Sequence, residues 1–273
     1  MVCRRFWQSC ALALAGMPLL LAQGAGPSTE ELQKQTQNPV ANLISVPFQN
    51  NTNFPVGHYS RVQDVLNIQP VIPITLNEDW TLITRWITPI VYQPNIRSGD
   101  GGANGLGDLN PTFFLSPAKP GKLIWGFGPT FLLPTATERS LGQGKWGAGP
   151  SFVVLVQPAH WTIGALANNI WSYAGDKDRP AVNQALLQYF VNYNMKNGYY
   201  MGSQPILTAN WRTSSSNRWT VPFGWSFGRI LKVGTLPINA QLGAYYNLIH
   251  PQNTPYGKWQ VRLQVAMLFP KKK

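Results

Sequence analysis

The sequence predicts an all-β fold: a single antiparallel transmembrane β-barrel of about twelve strands, preceded by a short N-terminal segment. Three observations carry that expectation. Charged residues make up only 12% of the 273-residue chain, about half the usual share in a globular protein, which excludes a surface solvated by water on all sides. Glycine (25) and proline (23) are frequent and aromatic residues form 12% of the chain, a composition of many turns and few long helices. The hydrophobic pattern repeats every second residue over stretches longer than the ~5–6 residues of a soluble strand. A helical membrane bundle is excluded in turn, because the mean hydropathy is −0.14 and only the N-terminus approaches a long apolar run.

Taken in chain order, residues 1–24 read as a secretory leader. Arg4 and Arg5 precede an apolar stretch from Cys10 to Ala22, and small residues follow at Gly24, Ala25 and Gly26; that order of basic, apolar and small residues is the signature of a cleaved signal. The apolar stretch is interrupted by Pro18 and is too short for a span of ~20 residues. Cys3 and Cys10 leave with the leader, so the mature chain offers no disulfide, thiolate metal site or cysteine nucleophile. Loss of Arg4 and Arg5 takes the formal net charge from +12 to +10. The remaining cations are scattered singly, apart from Lys271, Lys272 and Lys273, which argues against nucleic acid as a partner. Residues 25–40 form a polar, periplasmic segment in which Ser28 and Glu31 have capping-box spacing ahead of Leu32, predicting one short helix.

Residues 41–273 are assigned to the barrel. Period-two segments are expected at 43–50, 65–74, 81–92, 107–116, 123–133, 147–157, 161–174, 184–194, 201–212, 219–228, 238–248 and 259–269. In the last, Trp259, Val261, Leu263, Val265, Met267 and Phe269 alternate with Gln260, Arg262 and Gln264. Connections alternate in length, as a barrel with short periplasmic turns and longer outer loops requires. Those at 77–79, 117–121, 158–160, 195–198 and 231–237 are the short class, and those at 94–104, 135–145, 175–181 and 251–257 the longer one, with 213–218 short for its class. Trp80, Trp125 and Trp161 then fall at the periplasmic end and Trp146, Trp171, Trp211, Trp219 and Trp259 at the outer end, as two aromatic girdles. The apolar faces place Leu242, Ala244, Leu263 and Val265 against hydrocarbon. The opposite faces, rich in Gln, Asn, Thr and Gly, suit a wet lumen lined by Arg85, Asp108, Phe114, Gln188, Gln204, Arg212, Gln241, Arg262 and Gln264.

Several ordered motifs resemble the meta-pathway phenol-degradation (MetA-type) outer-membrane family. They are Asn38-Pro39-Val40-Ala41-Asn42-Leu43-Ile44-Ser45-Val46-Pro47, Gly105-Leu106-Gly107-Asp108, Ser116-Pro117, Trp125-Gly126-Phe127-Gly128-Pro129, Leu133-Pro134-Thr135-Ala136-Thr137, Lys145-Trp146-Gly147-Ala148-Gly149-Pro150, Trp171-Ser172-Tyr173-Ala174-Gly175 and Leu268-Phe269-Pro270. The resemblance covers essentially the whole mature chain. It implies a Gram-negative outer-membrane barrel labelled a transporter for small hydrophobic or aromatic solutes. Outer-membrane lipid, lipopolysaccharide and the barrel-assembly machinery are the implied partners, and no catalytic residue or cofactor is implied.

The residues themselves offer little catalytic chemistry. His58, His160 and His250 have no metal-ligand spacing. The Gly-rich run from Ser98 to Gly105 lacks the lysine and helix of a phosphate cradle. Asp100, Asp108, Asp176 and Asp178 match no calcium-loop motif. Passive passage of small hydrophobic or aromatic solutes is what the resemblance implies, and the residues themselves suggest no cofactor and no metal. The alternatives are an outer-membrane lipase or protease built on His250 with Asn247 or Asn253, and a plugged structural barrel.

Overall fold

The computed structural model describes residues 27–96, 101–251 and 257–270; the leader, Asp100, Asn253 and the lysine tail lie outside them. The described residues form a closed barrel of twelve strands. These are β1 (Ile44–Val56), β2 (Arg61–Ile68 continued by Val71–Thr75), β3 (Trp80–Gln93), β4 (Ala103–Leu106 continued by Asn110–Pro117), β5 (Leu123–Leu132) and β6 (Lys145–Val156). They are followed by β7 (Trp161–Gly175), β8 (Asn183–Asn194), β9 (Tyr199–Ser203 continued by Ile206–Asn210), β10 (Trp219–Val233), β11 (Leu236–Ile249) and β12 (Trp259–Phe269). Each strand pairs antiparallel with the next, and β12 closes on β1 in a register running from Ile44↔Phe269 to Phe54↔Trp259. Among the described residues, closure gives each of the twelve strands a partner on both sides, as a sheet in lipid requires.

The alternation in the sequence becomes an inside and an outside. Leu242 and Leu263 are 57% and 52% exposed, as are Trp225 and Phe152 at 54% and 58%, while the inward Thr130, Ser151 and Thr162 are fully buried. Large apolar side chains outside and hydroxyls inside are the reverse of a soluble protein and the pattern of a lipid-solvated barrel. Aromatic pairs mark both rims. Trp80 packs edge-on to Trp125 and Trp161 to Tyr193 at the tight-turn end, and Trp211 meets Trp219 and Tyr246 meets Trp259 at the loop end.

Three strands differ instructively from the periodicity. β1 runs to Val56, six residues past the pattern's end at Asn50, because Asn50 and Thr52 face outward without being apolar; they bond Asp64 of β2 instead. β10 and β11 extend until a two-residue turn at Gly234 and Thr235, where Gly234 has φ 61°, rather than ending around an open 231–237 connection. β2 and β9 are interrupted at Gln69-Pro70 and Gln204-Pro205, since proline has no N–H for the ladder.

The tight-turn end is closed from within. Helix α1 (Thr29–Thr36) is capped by Ser28, whose hydroxyl accepts from the Glu31 amide while the Glu31 carboxylate accepts from the Ser28 amide. Leu32 packs with Ile230, Leu43, Ala266 and Leu268. The Gln33 side chain donates to the Tyr199 carbonyl at 2.8 Å, Gln157 donates to the Lys34 carbonyl at 2.8 Å, and the amides of Gln37 and Asn194 bond each other at 2.8 and 3.2 Å. Val40 then reaches up into an apolar cluster with Ile83, Phe114, Ile124, Val153, Leu155, Leu166 and Phe190. That cluster belongs to β3 through β8, so the barrel's filling is eccentric: one wall is packed and the other is hollow.

Candidate functional site

The hollow side is divided in two. A lower cavity of about 130 Å³ lies above the N-terminal segment, between Gln35–Pro39 and a barrel wall that includes Arg85, Gln188, Phe190, Gln204, Arg262 and Gln264. An upper chamber of about 550 Å³ extends to the loop end and is lined by amides such as Asn51, Gln63, Asn67, Asn247 and Gln260. Gln49 and Arg262 line both, and so form the partition between them.

Arg262 projects inward because it falls on the even face of β12. Its guanidinium donates from Nε to Asn51 Oδ1 at 3.0 Å, from one terminal nitrogen to the Gln204 carbonyl at 2.9 Å and from the other to Gln260 Oε1 at 3.0 Å. Its carbon centre lies 4.7 Å from the centroid of the Tyr245 ring. Removing a guanidinium from bulk water is costly, and neutral acceptors on three sides with an aromatic face offset much of that cost. The Gln204 carbonyl sits at the interruption of β9, next to Pro205. Arg85, on the inward face of β3, follows the same logic: its terminal nitrogen donates at 2.7 Å to Gln69 Oε1, at the interruption of β2 beside Pro70. Both lumenal cations are thus met where a proline breaks the ladder.

Of the residues expected in the lumen, Arg85, Gln188, Gln204, Arg262 and Gln264 meet around the lower cavity. Phe114 points inward but is fully buried in the apolar packing, and Gln241 is spent on Ser226 Oγ at 2.9 Å. Arg212 requires correction: β9 ends at Asn210, the chain turns, and Arg212 is exposed with its amide on Asn210 Oδ1. Counting every second residue through 201–212 carried the face past the true strand end. Asp108 is also displaced from the arginines. The break between the two parts of β4 leaves its carboxylate at the loop end, accepting from the amides of Ala136 and Gln143 and so bracing the β5–β6 loop. That loop is held on its other side by Arg179, which donates to the carbonyls of Gln143 and Gly142.

Sequence reasoning missed Gln49, Asn51, Gln69 and Tyr245. The run Gln49, Asn51, Asn53 carried a readable signal, three amides at alternate positions; Gln69 carried none, because its role depends on a strand break. His250 does not bond Asn247: its Nδ1 lies 3.2 Å from the Pro251 carbonyl, whereas the Asn247 amide donates to the Gly257 carbonyl. Among the described residues no three acidic, histidine or cysteine side chains gather as metal ligands.

No protein-family model and no curated protein matches the chain. Solved structures do. An outer membrane channel from Pseudomonas putida F1 superposes with a TM-score of 0.63 at 18% identity, covering 83% of this chain and 94% of its own. The porin NanC superposes with a TM-score of 0.51 at 10% identity, covering 84% of this chain and 100% of its own. At these identities the likeness shows the fold, the closed antiparallel barrel.

Proposed function

We propose that this chain is an outer-membrane channel that passes small solutes by diffusion and favours anions, and that residues 29–41 close its periplasmic end in the state described here. The observation that carries the reading is the wall chemistry. Two arginines and a set of amides line the two cavities, and among the described residues no aspartate or glutamate lines either. A narrow, low-dielectric passage with that lining concentrates anions through its summed field. The two likenesses support a channel because each is to a protein named as a channel or porin. With tight turns and the N-terminal helix at one end, the orientation rule for such barrels puts that end in the periplasm and the longer loops outside. Lipid and lipopolysaccharide then cover the apolar belt, and the barrel-assembly machinery inserts it. Aliphatic and aromatic groups among the lumenal amides suit small hydrophobic or aromatic solutes bearing a polar group.

The test is reversal potential in asymmetric KCl across a planar bilayer, for the intact protein and for a variant lacking residues 25–41. Anion preference in both and a larger conductance in the deletion are expected, with selectivity falling as salt rises. Cation preference, or silence in the deletion as well, would overturn the reading.

A further inference from the structure

We propose that the lower cavity is a binding site for a small organic monocarboxylate carrying an apolar body of about one ring, with Arg85 as its anchor. The site rests on the channel reading only in that the ligand enters through the upper chamber. Four observations point to it.

The first is the unequal use of the two arginines. A guanidinium has five N–H donors in a fork that matches a carboxylate. Arg262 commits all three nitrogens and is covered by Tyr245. Arg85 makes one hydrogen bond among the described residues, to Gln69, and it lines the cavity. The second is charge. Among the described residues no acidic side chain lines the cavity, so an organic anion would supply the counter-charge to a cation held inside the barrel.

The third is size. The cavity measures about 130 Å³, close to the ~150 Å³ of a cavity known to admit benzene. The fourth is polarity. Leu43, Pro47, Val71 and Phe190 give the lining apolar surface, while Arg85, Gln188 and Gln264 give it a cation and amides. Inorganic phosphate or sulfate would leave that apolar surface in contact with a hydrated ion. A neutral aromatic would leave Arg85 unmatched. A ring-sized or short branched monocarboxylate satisfies both, and because Gln35–Pro39 complete the enclosure, anything larger requires the N-terminal segment to withdraw.

The experiment is calorimetric titration of the detergent-purified, full mature chain with benzoate, benzyl alcohol and benzylamine. Benzoate should bind saturably at one site, at least about tenfold more tightly than benzyl alcohol, which is about one charge-assisted hydrogen bond in strength. Arg85→Gln should lose about tenfold or more of that affinity, Arg85→Lys should recover part of it, and Arg229→Gln, outside the barrel on Tyr199, should change nothing. Retained heat-modifiable gel migration identifies variants that still fold, and Val71→Phe, which fills the cavity without touching charge, should also lose benzoate. Equal affinity for benzoate and benzyl alcohol, no saturable binding, or undiminished binding by folded Arg85→Gln would overturn the site. Benzoate binding without conductance would sustain the site and remove the channel; anion conductance without binding would do the reverse.

Discussion

Leu263 and Gln264 are neighbours whose environments could hardly differ more. Leu263 is 52% exposed on the outer face, while Gln264 lines the lower cavity. An arginine at the bilayer midplane of a barrel costs ~2–4 kcal/mol, so Leu263→Arg should lower assembly into the heat-resistant form by at least about tenfold, whereas Gln264→Arg should assemble nearly as the parent. Urea titration in vesicles reads both; equal losses would mean that the faces are exchanged. At this scale the sequence was legible wherever a strand was regular. Arg262 and Gln264 could be placed by counting twos from Gln260. Arg212 and Asp108 could not, since each lies just past a point where the ladder stops, and neither a strand end nor an interruption alters the local hydrophobic pattern enough to be read.

The N-terminal helix is a small element with a large lever. Its eight residues are too few to persist alone in water, so the capping box, Leu32 and the amide bonds of Gln33 and Gln37 decide whether it stays seated. Ser28→Ala should weaken the cap by about 1 kcal/mol, and if the plug must melt to open, open-channel events in single-channel recordings should become about fivefold more frequent. Gln37→Leu and Asn194→Leu, alone and together, measure the paired amide bond directly. Each single variant buries an unmet amide and should open the barrel more than the double variant does, a coupling of about 1 kcal/mol. The helix itself was legible from Ser28 and Glu31, but its seat was not, because its contacts at Met195, Tyr199 and Gln157 lie more than a hundred residues away. The strands were legible in number because a spanning segment must keep one lipid-facing surface. Their ends were less so: β1 continues through Asn50 and Thr52, which meet lipid by bonding Asp64 rather than by being apolar.

Across the whole molecule, orientation makes the simplest prediction. Protease added to intact cells should cut within the β5–β6 connection, 133–144, or the β7–β8 connection, 176–182, and spare 118–122 and 195–198; cleavage at the latter pair would invert the barrel in its membrane.

In the proposed channel the two lumenal compartments would act as resistors in series. A wide upper chamber adds little to the total, so once residues 25–41 are removed most of an applied voltage falls across the narrow stretch held by Arg262 and Gln49. Side chains in the upper chamber are then nearly invisible to current, however polar they are. A single guanidinium at the partition sits where the field is steepest, and it governs which ions carry charge in proportion to its position rather than to its share of the lining.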